Sequence, residues 1–157
     1  MLFSTKAEYG VRLMVELGRQ PGSQPVSLGS VAEAENLPLS YLEHLVAKLR
    51  KAGLVTSTRG AHGGYRLAKP AAEITMDAVV EALEGQIAPM ECFHDTPEGK
   101  VLCSHESDGD SACSTKLLWM RVQGGVSKAL AGTTLSELVE FSTKSEPTRA
   151  AALGSVA

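Results

Sequence analysis

Residues 38–70 read PLSYLEHLVAKLRKAGLVTSTRGAHGGYRLAKP, and the fold is decided there. Leu42, Leu45, Val46 and Leu49 recur at helical spacing and share one face. Tyr41, Glu43, His44 and Lys48 fall on the other side, and Gly53 supplies the stop. Leu54-Val55-Thr56 and Tyr65-Arg66-Leu67 then read as two short strands around the tip Arg59-Gly60-Ala61-His62-Gly63-Gly64. The glycines of that tip tolerate the positive φ of a tight reversal. A hairpin directly after a helix with a polar, basic outer face makes a winged helix. A glycine-rich loop can also cradle a nucleotide phosphate. This one joins strand to strand, and no Gly-Lys-Ser/Thr follows it.

The segments before this stretch complete the motif. Ser27 opens a helix over LGSVAEAE with Leu28, Val31 and Ala32 inward, and Asn36-Leu37-Pro38 turns the chain into the next helix. Further upstream, residues 5–19 carry an apolar stripe of Tyr9, Leu13, Val15 and Leu17 with Val11 and Met14 between. Ser4 or Thr5 caps this helix, and Glu8 stands three residues after Thr5 as in a capping box.

Downstream, Thr75 caps a helix whose inward positions are Met76, Val79, Val80 and Leu83, with Gly85 as stop. A long helix is expected from about Thr115 to Leu130, with Leu118, Val122, Val126, Ala129 and Leu130 in one stripe beside Trp119. A completed winged helix has no room in its core for such a stripe, so it reads as a dimerisation arm. Gly124-Gly125 costs it about 1 kcal/mol per residue relative to alanine, implying a kink or a close backbone approach. Thr134 caps a last short helix, LSELVEF, that packs back. The expected fold is mainly α with a small β-hairpin wing: a winged helix-turn-helix plus a long dimerisation helix. Residues 1–86 form the DNA-binding domain and 87–114 a cysteine-rich loop. Residues 115–142 hold the dimerisation helix and the short helix, and 143–157 form a disordered tail.

Charge follows the same division. Residues 1–70 hold nine Lys/Arg against five Asp/Glu, and residues 71–157 six against thirteen. Between 39 and 69, Lys48, Arg50, Lys51, Arg59, Arg66 and Lys69 face only Glu43. An acidic chain with such a patch still attracts a polyanion, because binding follows the local field. No apolar run approaches the roughly 20 residues of a membrane span, and the first residues lack the layout of a signal peptide. The expected location is the cytoplasm, where thiols stay reduced.

Residues 91–113, ECFHDTPEGKVLCSHESDGDSAC, hold all three cysteines of the chain and two of its four histidines. An odd cysteine count argues against a disulfide framework. Three soft thiolates in a polar loop suit an iron–sulfur cluster. Cys92-x-His94 and Cys103-x-His105 also admit structural zinc. Cys103 and Cys113 also admit a reversible disulfide. A Cys/His enzyme would need a third, orienting group, and an acidic loop raises a thiol pKa.

Taken in order, SYLEHLVAKLRKAGLV (40–55), RGAHGGYRLAKP (59–70), the cysteine stretch and TTLSELV (133–139) resemble the Rrf2 family, in its IscR/NsrR-like branch. The resemblance covers about residues 1–142. It implies a homodimeric regulator, a repressor without small-molecule substrate or membrane, on a pseudo-palindromic double-stranded operator. It further implies an iron–sulfur cluster, 2Fe-2S or 4Fe-4S, sensing redox state, nitric oxide or iron supply. Ser40, Tyr41, Glu43 and His44 take the positions that read the major groove, and an acid such as Glu43 accepts from cytosine N4. Lys48 and Arg59, with Gly60, His62, Gly63 and Gly64 of the wing and Ser4 and Lys6 at the first helix, are the expected backbone contacts. Cys92, Cys103 and Cys113 match the cluster cysteines. Ten and nine residues intervene, about twice the family's usual spacing. The histidine that some members place three residues after the third cysteine is Lys116 here. NsrR-like members take the fourth ligand from an acid on the first helix of the partner subunit, and Glu8 holds that position here, so the resemblance implies Glu8 as the fourth ligand, ahead of His94 and His105.

Overall fold

The computed structural model describes residues 3–20, 24–87 and 114–153. The cysteine stretch, with Cys92, His94, Cys103, His105 and Cys113, lies outside the described residues.

Helix α1 spans Thr5–Arg19. Ser4 is its N-cap in an extended conformation, and its hydroxyl accepts from the Lys6 N–H at 3.1 Å. Thr5 and Glu8 therefore do not form the expected capping box, because the cap sits one residue earlier. The reciprocal acid comes from elsewhere in the fold: Glu84 accepts from the Ser4 N–H at 2.9 Å and from its hydroxyl. Helix α1 lies against two later helices through glycines. A Cβ on Gly10 would fall 2.1 Å from Leu83 Cδ1, and one on Gly18 would fall 2.8 Å from Val139 Cγ2.

Helices α2 (Leu28–Glu35) and α3 (Leu39–Lys51) form the helix-turn-helix. Ser27 caps α2 by accepting from the Ser30 N–H at 3.0 Å. Asn36 ends it in the left-handed region at φ 51°, a conformation its short amide side chain tolerates. The wing is the antiparallel pair β1 (Val55–Thr58) and β2 (Gly64–Leu67), in register from Val55↔Leu67 to Thr58↔Gly64. Val26 adds an isolated antiparallel bridge to β2, exchanging two N–H···O bonds of 2.8 Å with Tyr65. β1 begins one residue later than the expected Leu54 and ends two residues past Thr56, and β2 begins one residue before Tyr65, as the register of the ladder sets.

A short 3₁₀ turn, Ala71–Glu73, leads to α4 (Met76–Glu84). Thr75 holds the N-cap position, but its hydroxyl donates to Asp77 rather than accepting from the helix. Helix α5 (Ser114–Ala131) leaves the body, and α6 (Leu135–Leu153) returns to it. Thr134 and Glu137 cap α6 reciprocally: the Thr134 N–H donates to Glu137 Oε2 at 2.7 Å, and the Glu137 N–H donates to Thr134 Oγ1 at 3.4 Å. Two bonds clip α6 to the start of α4, Met76 N–H to Thr133 O at 2.9 Å and Leu135 N–H to Ile74 O at 2.8 Å. The last helix continues past residue 142 to Leu153, so most of the segment expected as a disordered tail is helical.

One core serves α1 to α4, the wing and α6. Leu13, Met14, Val31, Leu42, Leu49, Val79 and Leu135 are fully enclosed. Helix α5 is the exception: Leu117, Leu118 and Met120 are 57%, 56% and 54% exposed, so its N-terminal half is not used by this core.

Candidate nucleic-acid interface and sensor residues

The buried side of α3 is Leu42, Leu45, Val46 and Leu49. At 100° per residue the diametrically opposite stripe is Ser40, His44, Ala47 and Lys51, with Glu43 flanking it, and all five are exposed. Among the described residues, the side chains of Glu43, His44 and Lys51 make no hydrogen bond or ion pair. Lys51 is an addition to the contacts expected from the sequence, although its spacing from Ser40 and His44 already places it on their stripe. Arg50 leans the other way, its guanidinium 3.4 Å from Ser57 Oγ on β1, and so links helix to wing. At the wing tip Arg59 and His62 are exposed and unpaired among the described residues.

Other expected contacts have structural employment. Tyr41 is half-buried, its ring edge-on to Tyr9 with centroids 5.7 Å apart. Lys48 donates through Nζ to the Leu83 carbonyl at 2.8 Å, at the end of α4. Ser4 is held by Glu84, while Lys6 is exposed. Gly63 and Gly64 are required by backbone proximity: a Cβ would lie 2.3 Å from the Thr58 carbonyl oxygen and 2.4 Å from that of Val26, respectively. Gly60, at φ 119°, makes the reversal.

On α1, Glu8 is exposed, and its side chain has no hydrogen bond or ion pair among the described residues. Arg12, one turn on, does not pair with it. Arg12 instead bonds Glu35, Nε to Oε2 at 2.8 Å. Among the described residues no three His, Cys, Asp or Glu side chains gather to hold a metal. All three cysteines lie outside those residues.

Comparison with known proteins settles the family. The family profile described as "Iron-dependent Transcriptional regulator", Rrf2, matches residues 3–141. The chain belongs to the Rrf2 family. As a member it is a transcriptional regulator with a winged-helix fold, and regulators of this family bind DNA and are typically dimeric. The regulator CymR of Bacillus subtilis is 39% identical over 141 residues, 90% of this chain and 91% of CymR. IscR of Vibrio atlanticus is 35% identical over 140 residues, 89% of this chain and 76% of IscR. The solved structure of B. subtilis CymR, described as the global cysteine regulator, superposes with a TM-score of 0.72 at 38% identity. It covers 90% of this chain and 98% of that one. T. potens IscR superposes equally well, at 0.72 and 35% identity, covering 90% and 88%. These relatives are transcriptional regulators, which are not enzymes. No helix among the described residues is long and apolar enough to cross a membrane.

Proposed function

We propose that this Rrf2 regulator is a cytoplasmic homodimeric repressor whose affinity for a pseudo-palindromic operator follows the state of an iron–sulfur cluster. One observation carries the DNA-reading half: the exposed stripe Ser40, His44 and Lys51 with Glu43 beside it, and the unpaired Arg59 and His62 of the wing. These groups have given nothing to the protein's own interior and remain available to base edges and phosphates. In a dimer built through α5, the two recognition helices would reach half-sites about one DNA turn apart, roughly 34 Å.

For the sensing half, Cys92, Cys103 and Cys113 supply three thiolates, and Glu8 of the partner subunit supplies the fourth ligand. Soft sulfur ligands with one carboxylate suit an iron–sulfur centre. The unpaired, exposed Glu8 fits this role on chemical grounds, since no neighbour among the described residues competes for its oxygens. When bound, a cluster supplies a centre that reacts with oxidants or nitric oxide. The protein's part is to hold its ligands on two subunits, so that their loss alters how the two α1 helices are held. Operator affinity then changes by a coupling free energy, commonly about 1–3 kcal/mol.

A second reading is favoured by the likeness to CymR, a relative solved also in an oxidised form from Staphylococcus aureus. In this reading Cys103 and Cys113 act as a thiol–disulfide switch, or Cys92 with His94 and Cys103 with His105 hold structural zinc, and no iron is involved. Anaerobic purification separates the readings. A coloured protein containing iron and acid-labile sulfide, with operator affinity that changes on stripping them, is the expected result. A colourless protein with stoichiometric zinc, or one whose affinity follows thiol oxidants alone, would replace the cluster by the second reading.

A further inference from the structure

Three contacts converge on the last turn of α4. Leu83 is buried, and its side chain fills the space over Gly10 of α1. The Leu83 carbonyl accepts from Lys48 Nζ of α3 at 2.8 Å. The next residue, Glu84, accepts from both the N–H and the hydroxyl of Ser4, the cap of α1. The final carbonyls of a helix lack partners within it, and a cation there also meets the negative end of the helix dipole. Lys48 thereby fastens the DNA-reading helix to the end of α4. Three residues after Glu84, the Ile87 carbonyl accepts from Gln123 of α5 at 3.2 Å. The cysteine stretch follows directly in the chain.

The position of Lys48 on α3 agrees with this role. It lies seven residues after Tyr41, on the flank that faces α1, and borders the outward stripe Ser40, His44, Ala47 and Lys51 on the side opposite Glu43. Its ammonium is engaged at the one place where the recognition helix, the cap of α1 and the exit toward the cysteines meet.

We propose that the last turn of α4 relays the state of the cysteine segment to the recognition helix, with Lys48 as its positioning residue rather than a phosphate ligand. The signal it carries rests on the sensing function proposed above, whereas the mechanical link rests on described contacts alone. A displacement of the chain at Ile87 moves the Leu83 carbonyl and carries Lys48 and α3 with it. The tight seat of Leu83 on Gly10 passes the same displacement to α1, which bears Glu8.

The test uses the full-length protein and a duplex that the wild type selects from a random pool. By reciprocity, DNA bound at α3 must be felt at α4. The duplex is expected to slow amide exchange over residues 80–87 by about fivefold in wild type. This protection should be lost in Lys48→Met and restored in Lys48→Arg, which keeps a donor. Equal protection in Lys48→Met and wild type would overturn the relay. The dependence of affinity on salt provides a second, independent measurement. Loss of a phosphate contact flattens the log–log slope by about 0.9, and that result would return Lys48 to the phosphate ligands. An unchanged slope supports positioning. The sensing function is judged separately, by the affinity ratio of iron-loaded to iron-stripped wild type. A ratio of one would end that reading and leave the exchange result to decide the relay.

Discussion

Arg12 donates its Nε to Glu35 Oε2 at 2.8 Å and a second nitrogen to the Glu35 carbonyl, pinning α1 to the end of α2. Its guanidinium also stacks over Tyr9, 5.9 Å from the ring centre. The pairing removes the natural helical partner of Glu8, four residues earlier, and leaves that carboxylate free among the described residues. Glu8→Ala should therefore change stability by no more than about 0.5 kcal/mol, as for an exposed residue without contacts. In the iron-loaded protein the same change should shift the visible spectrum and shorten its lifetime in air. An unaltered spectrum and lifetime would exclude Glu8 as a ligand.

The wing depends on Gly64 more than on its exposed tip. At φ 158°, and with the Val26 carbonyl oxygen 2.4 Å from any added Cβ, the position cannot accept alanine without breaking the Val26–Tyr65 bridge. Gly64→Ala should cost more than about 1 kcal/mol in urea unfolding, since an incompatible backbone exceeds the usual entropic gain. It should also weaken operator binding, while Ala61→Gly at the tip changes neither by much.

Arg59 and Lys51 are exposed cations without partners among the described residues. If each meets a phosphate, Arg59→Ala and Lys51→Ala will each lower affinity for all duplexes alike and flatten the salt slope by about 0.9. Glu43→Ala should behave differently, leaving the slope nearly unchanged and relaxing which operators are bound.

Helix α5 exposes Leu117, Leu118 and Met120, each more than half accessible in the single chain. The dimer is expected to cover them. The double change Leu117→Glu, Leu118→Glu should yield a monomer in sedimentation with unaltered helix content, because neither side chain supports the chain's own core. A dimer that survives this change would place the interface elsewhere.

Burial alone would raise the pKa of Glu84. The two hydrogen bonds from Ser4, the nearby Ala7 backbone amide and the charge of Lys6 outweigh it and lower the value below its ordinary one. A group with a depressed folded pKa contributes stability above its unfolded pKa, and that contribution is lost as pH falls through the folded value. Urea midpoints should thus decline below about pH 4.5 more steeply for wild type than for Glu84→Gln. Parallel curves would show that the Ser4–Glu84 link stabilises neither helix.

Much of this architecture is legible in local pattern. The period of Leu42, Leu45, Val46 and Leu49 marks α3, and the glycines between residues 60 and 64 mark the wing, because both are short-range effects of backbone geometry. The Thr134–Glu137 cap likewise needs only four residues. The length of α6 is not legible in the same way, since the polar stretch 143–149 with Pro147 reads as a helix end. Charge and position alone put Lys48 and Ser4 among the expected DNA contacts, and give no sign of their hydrogen bonds to Leu83 and Glu84.

Composition and periodicity by themselves determined the winged helix, the basic face and the presence of three cysteines in one stretch, since these follow from residue types at fixed spacing. Only the tertiary structure decided which polar groups remain for function. Glu84 lies 80 residues from Ser4, Lys48 lies 35 from Leu83, and Arg12 lies 23 from Glu35. No local pattern encodes such pairs, because a hydrogen-bond partner is chosen by the packing of helices and not by neighbours along the chain. That packing left Glu8 without a partner among the described residues and gave Lys48 a partner at the end of α4.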